Sequence, residues 1–198
     1  MKRLTILLIV AMLAVTIAVV IALSGRSYTD VDEIDVEYLT AVQYATGKGI
    51  ISGFPDGSFR PAETLTRAQA AKMICITLEG AEKADALPEN SSAFSDVPDN
   101  NWASKYIAYC AERNIVAGVG DGRFDPDGAL SVCAFGKMLL VAYGHDPVAE
   151  GLVGSDWSAN TARALLAGGY SKKLPFLGDV PIDRESACQL TCNFAFPE

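Results

Sequence analysis

Apolar residues along this chain fall into pairs of short helical patterns separated by turn residues. In "NNWASKYIAYCAERN", Ala103, Tyr106, Ile107 and Cys110 stand at i, i+3, i+4 and i+7. That spacing predicts an amphipathic helix from near Asn101 to about Arg113–Asn114. In "TLTRAQAAKM", Thr66 is a good N-cap and Gln69 follows three residues on, a capping box that places Arg67 first in a second helix. Leu65 and Ala70 supply the apolar staple across that start. Between the two helix types lies a short apolar pair, Ile50–Ile51 or Ile115–Val116, then an Asp-Gly turn that closes a small loop or hairpin. The polar stretches 79–93 and 145–156 read as connections.

The pairs are copies of one unit. At a constant offset of 65 positions Ile50 meets Ile115, Gly53 meets Gly118, Phe59 meets Phe124, Pro61 meets Pro126 and Lys72–Met73 meets Lys137–Met138. Upstream, "YTDV" from Tyr28 resembles "FSDV" from Phe94, with one residue of slippage. A fainter third copy follows: "WSANTARALLAGGY" echoes the stretch from Trp102, and "PIDRESACQLTCNF" echoes "TLTRAQAAKMICIT", with the Asp-Gly turn missing between them. The units run over 28–78, 94–145 and 153–198, the last shortened. No helix of this kind buries its apolar face alone, and packing copies together does.

Before the first unit, an uncharged apolar run from Leu4 to Leu23 follows Lys2 and Arg3. Residues 1–24 read as a signal peptide cleaved after Ser24 or as a retained membrane anchor, because 20 apolar residues are enough to cross a bilayer. Either form is exported, with the units outside. Lys2 and Arg3 account for two of the 16 cations, so the remainder carries 14 against 24 acids, a net of −10. Such a field excludes nucleic acid and anionic lipid as partners of the units, and an acidic ligand needs local, well-aimed cations. Five cysteines without a CxxC read as small buried hydrophobes.

One position stands out. The cap residues of the three second helices are Thr66, Ser131 and Asp183, all good N-caps; the residues after them are Arg67, Val132 and Arg184. A cation at a helix N-terminus opposes the macrodipole, so the arginine is not there to form the helix. Beside free N–H groups it makes a bidentate site for a carboxylate. The competing reading is a surface arginine paired with a nearby acid. On the first reading, replacing Arg67 and Arg184 removes binding at little cost in stability.

The joint pattern F-x-D-V, tryptophan helix, G-x-x-D-G-x-F-x-P and T-R-A-E, matched by "FSDVPDNNWASKYIAYCAERNIVAGVGDGRFDPDG" and "GIISGFPDGSFRPAETLTRAQAA", resembles the S-layer homology family from about Tyr28 to Phe196. The resemblance implies a mainly α fold, a pseudo-threefold bundle of three helix–short loop–helix repeats with grooves between lobes. It implies a non-enzymatic, carbohydrate-binding module at the bacterial cell wall or surface, attached non-covalently to secondary cell-wall polysaccharide, often pyruvylated. A decayed scaffold serving envelope protein contacts is the alternative. The implied ligand residues are Arg67, Gln69, Asp96, Trp102, Trp157, Arg184 and Glu185, with the tryptophans stacking on sugar faces; for Trp102, core packing against Tyr106 is an equal reading. The second unit's "SVCA" lacks the arginine, the first unit has Glu37 in place of the tryptophan, and the third lacks the loop. Asp121, Asp125 and Asp127 fit turn chemistry better than a calcium loop, because Pro126 occupies the glycine position of such a loop. No cofactor or metal ligand set is read, and His145 stands alone in a loop.

Overall fold

Three capped starts organise the chain. Thr66, Ser131 and Asp183 hold extended backbone, and their side chains accept the N–H of Gln69, Ala134 and Ser186 respectively. At Thr66 the box is complete, since Gln69 Oε1 accepts the Thr66 N–H at 3.1 Å. In the computed structural model, which describes residues 28–89, 94–175 and 177–197, these caps open helices α2 (Arg67–Glu79), α5 (Val132–Ala142) and α7 (Arg184–Ala195). The tryptophan-type helices are α1 (Leu39–Gly47), α4 (Ser104–Glu112) and α6 (Trp157–Ala167). The mainly α class is observed; among the described residues the extended backbone makes only isolated bridges.

One helix falls inside a predicted connection. Gly80, at φ +82°, ends α2, and α3 (Ala81–Asp85) starts at once from the same glycine. Ala84 is fully buried, and Asp85 is fixed by the Tyr106 hydroxyl (2.7 Å) and by Lys105 Nζ, which donates to its carbonyl. Gly80 reads as a stop in sequence, while the contacts that restart the helix come from α4, about 20 residues on.

Each tryptophan-type helix packs on the capped helix of the unit before it: α4 on α2, α6 on α5, and α1 on α7, which joins the first unit to the last. Where the caps converge, three backbone hydrogen bonds close a ring. Leu65 N–H donates to Ile182 O (2.9 Å), Ile182 N–H to Leu130 O (2.9 Å) and Leu130 N–H to Leu65 O (3.1 Å). All three side chains are buried, together with Phe59, Phe124, Phe135 and Phe194.

The Asp-Gly loops are held from upstream. Asp30 accepts the N–H groups of Phe59 and Arg60, both at 2.7 Å, and Asp96 accepts those of Phe124 and Asp125, also at 2.7 Å. The preceding aromatic packs closely against a glycine. A Cβ on Gly53 would stand 2.4 Å from the Tyr28 ring, and one on Gly118 would stand 2.9 Å from Phe94. Cys75, Cys110, Cys133 and Cys188 are buried and Cys192 partly so, all as free thiols. Burial pushes the Cys75 thiol up to about 11 and Cys192 to about 12, so neither is a ready nucleophile. No helix among the described residues is long and apolar enough to cross a membrane; the run 4–23 lies outside them.

Candidate functional site: the grooves between units

The two arginines reach across to a neighbouring unit. Arg67 Nε donates to Phe124 O and its Nη2 to Ala117 O, both at 2.8 Å; its guanidinium carbon lies 4.5 Å from the Phe124 ring centre. Arg184 repeats this on the first unit, with Nε to Phe59 O and Nη2 to Ser52 O, both at 2.8 Å. Each arginine thus latches the Asp-Gly loop of the next unit round the ring. The position after Ser131 faces the third unit, which has no such loop. There Val132 N–H and Cys133 N–H donate to Val180 O and Gly178 O, and no long side chain is needed. The arginine's place therefore has a structural cause that the dipole argument did not reach. It also replaces the expectation of a cheap double substitution: Arg184 is 2% exposed, and removing it strands two carbonyls. The helix-start N–H groups are partly engaged too. Arg67 and Ala68 donate to Gly128 O and Pro126 O, and Arg184 donates to Pro61 O and Glu63 O.

Other sequence-predicted residues also hold backbone. Asp96 is committed to the loop, and the Phe124 N–H, with that of Asp125, holds its carboxyl below the usual range. Gln69 completes the capping box. Glu185 Oε2 accepts the Asp35 N–H at 2.9 Å, pinning the turn before α1, and burial pushes its carboxyl up. Trp102 is 56% exposed, at the rim of a cavity of about 290 Å³ with Lys72, Lys105, Asn101 and Tyr106; the core alternative for it is set aside.

Two of the predicted residues do meet. Arg67 and Trp157 line one cavity of about 390 Å³ between α5 and α6, with Lys137, Met138, Ala134, the backbone of Ile115–Gly118, Val153 and Gly154. Lys137 Nζ stands 5.5 Å from the Trp157 ring centre. Burial pushes the Lys137 and Arg67 pKa values down, though not enough to discharge an arginine. Neither cation has an ion pair among the described residues, and no carboxylate lines the cavity. In a domain of net −10, two cations and an indole around an acid-free cavity are a directed arrangement.

Lys137 does not stand out in the sequence, although it aligns with Lys72. The reason is that each groove draws on three successive units. The α5/α6 groove combines Arg67, Lys137 and Trp157; by the alignment of the copies their counterparts at α2/α4 are Arg184, Lys72 and Trp102, of which Lys72 and Trp102 line the cavity there together with Glu89 and Asp99. At the α7/α1 seam the same places hold Val132, Gln189 and Glu37. Every unit lacks one member of the set, yet by this alignment two interfaces have all three and the third has none. The seam is filled instead: the buried Tyr38 hydroxyl donates to Lys173 O (2.7 Å), Gln189 to Asn193 Oδ1 (2.7 Å), and Asn193 to the carbonyls of Tyr170 and Lys172.

The S-layer homology domain matches this chain over residues 27–71 and 93–131. The chain is 31% identical over 134 residues to a cellulosome-anchoring protein of Acetivibrio thermocellus, covering 63% of this chain and 30% of that protein. It is 34% identical over 123 residues to S-layer protein EA1 of Bacillus anthracis, covering 62% of this chain and 14% of that one. It is also 33% identical over 132 residues to a Bacillus anthracis protein named as an uncharacterized cell wall amidase, of which it spans 24%. The chain therefore spans less than a third of the length of each of these relatives. Across those two segments, the chain is similar to S-layer homology domains.

Proposed function

We propose that the protein is a non-enzymatic module of the bacterial cell surface that attaches to cell-wall polysaccharide, with the α5/α6 groove as its principal site. The observation that carries this reading is the pair Arg67 and Lys137, neither in an ion pair among the described residues, beside Trp157 in a cavity lined by no carboxylate. An indole face suits a sugar ring, and the two cations suit an acid substituent such as a ketal-linked pyruvate carboxylate. The names of the relatives, surface-layer and anchoring proteins, support the same setting. The closed ring at Leu65, Leu130 and Ile182 supports a pseudo-threefold bundle with a shortened third copy.

Co-sedimentation with purified envelope polysaccharide, before and after mild-acid removal of pyruvate, tests the reading. Wild type is expected to be retained by the intact polymer. Lys137→Gln with Trp157→Leu should weaken retention by about tenfold or more, the equivalent of one lost charge-assisted contact. Equal retention of wild type and variant, or retention that ignores the pyruvate, contradicts it; a loss of retention by protein competitors but not by sugar would favour the scaffold alternative.

A further inference from the structure

The α2/α4 groove carries the same residue types as the α5/α6 groove, yet its arginine is hidden. Arg67 is partly exposed and lines its cavity, whereas Arg184 is 2% exposed and lines none of the described cavities. The backbone does not account for this. Arg60 and Asp125 occupy matching places with φ of 56° and 61°, and the two arginines make matching carbonyl bonds. The side chains do. Phe54 puts its ring centre 4.8 Å from the Arg184 guanidinium carbon, where the matching residue near Arg67 is Val119, smaller and 49% exposed.

Phe54 is itself held. The Arg60 guanidinium lies 3.9 Å from its ring centre and pairs with Asp56 (2.9 Å) and Glu63 (3.4 Å). The second unit has Asp125 at that place, which offers an aromatic ring nothing comparable. The Tyr28 ring lies 5.2 Å from that of Phe59, and its buried hydroxyl has no partner among the described residues; Phe94, without a hydroxyl, takes its place in the second unit. A buried hydroxyl without a partner marks a polar place shut off from water.

We propose that Phe54, held by Arg60, is a lid over a second anion site at Arg184, so that the chain presents one open arginine groove and one closed one. The proposal rests on the polysaccharide-binding reading for its ligand but not for its geometry. Opening requires only rotation of one half-buried ring and release of exposed ion pairs, which are weak and screened by salt.

Arginine labelling of the full chain with phenylglyoxal, followed by peptide mass mapping, tests the lid without any sugar. Arg67 is expected to label roughly tenfold faster than Arg184 in wild type, in keeping with reaction through local opening. Phe54→Val should bring Arg184 close to the Arg67 rate, and Arg60→Asp should move it part of the way, with Arg67 unchanged as the internal control. Calorimetric titration with a methyl hexopyranoside carrying a pyruvate ketal should change from one site to two in Phe54→Val. An Arg184 already as reactive as Arg67, or unmoved by both substitutions, overturns the lid. An exposed Arg184 with the stoichiometry still at one overturns the site behind it. Absence of sugar binding in both proteins defeats the polysaccharide reading, and the labelling then decides the lid by itself.

Discussion

The α5/α6 groove and the α7/α1 seam are built from the same two helix types packed in the same order, yet one keeps a cavity and the other is bridged by hydrogen bonds. In the groove, Lys137 and Trp157 flank a cavity of about 390 Å³ into which Arg67 reaches. In the seam, Gln189 and Glu37 stand in their places, and Tyr38, Asn193 and Lys173 fill the space with hydrogen bonds. The seam is also where the first unit's helix meets the last unit's. One interface of the ring is bridged by hydrogen bonds, while the α5/α6 interface keeps an open cavity. Side chains that look lost unit by unit prove to be lost together at this one interface.

Substitutions at the two interfaces should therefore have opposite readouts. The largest effect is expected at the seam: Tyr38→Ala empties a buried aromatic site and should cost about 3–5 kcal/mol in urea unfolding, with sugar affinity unchanged in the folded fraction. Next comes Arg184→Met, which strands the Ser52 and Phe59 carbonyls and should cost on the order of 2–3 kcal/mol, whereas Lys137→Gln, with no ion pair to lose, should stay within about 0.5 kcal/mol.

A smaller effect is expected from acid. The Asp96 carboxyl is held low chiefly by the Phe124 N–H, so its contribution is fully present above the unfolded value near about 4 and is lost as pH falls through the lower folded value. The stability gap between wild type and Asp96→Asn should then narrow as pH is lowered from about 6 towards about 2; a gap that widens contradicts the loop-holding role. The smallest effect is expected from moving the groove's chemistry into the seam. Glu37→Trp with Gln189→Lys should add no sugar site by calorimetry, because Tyr38 and Lys173 already occupy the space.

Much of the fold is legible because its signals are local. Thr66, Ser131 and Asp183 announce their helices within four residues, and the structure shows all three caps made. The loop-holding aspartates were within reach: Asp30 and Asp96 sit 29 and 28 residues before Phe59 and Phe124, which is the one-residue slippage between the copies. That slippage reads as noise until the pairing is seen. What sequence could not supply is any property that joins different units. The arginines contact loops 50 to 132 residues away, and the groove set spans three units, so comparing copies position by position scatters it. Helix α3 failed for the same reason, since its stabilising partners lie on α4.

The chain's two tryptophans allow the central claim to be read directly, because Trp157 lines the α5/α6 cavity and Trp102 the α2/α4 cavity. In protein labelled with ¹⁵N at tryptophan, two indole N–H signals are followed during titration with a pyruvate-ketal hexopyranoside. The Trp157 signal is expected to shift and saturate at roughly tenfold lower sugar than any movement of Trp102, and to stop responding in Lys137→Gln. A Trp102 signal that moves first, or a Trp157 signal that stays still while the polymer binds, contradicts the assignment of the α5/α6 groove.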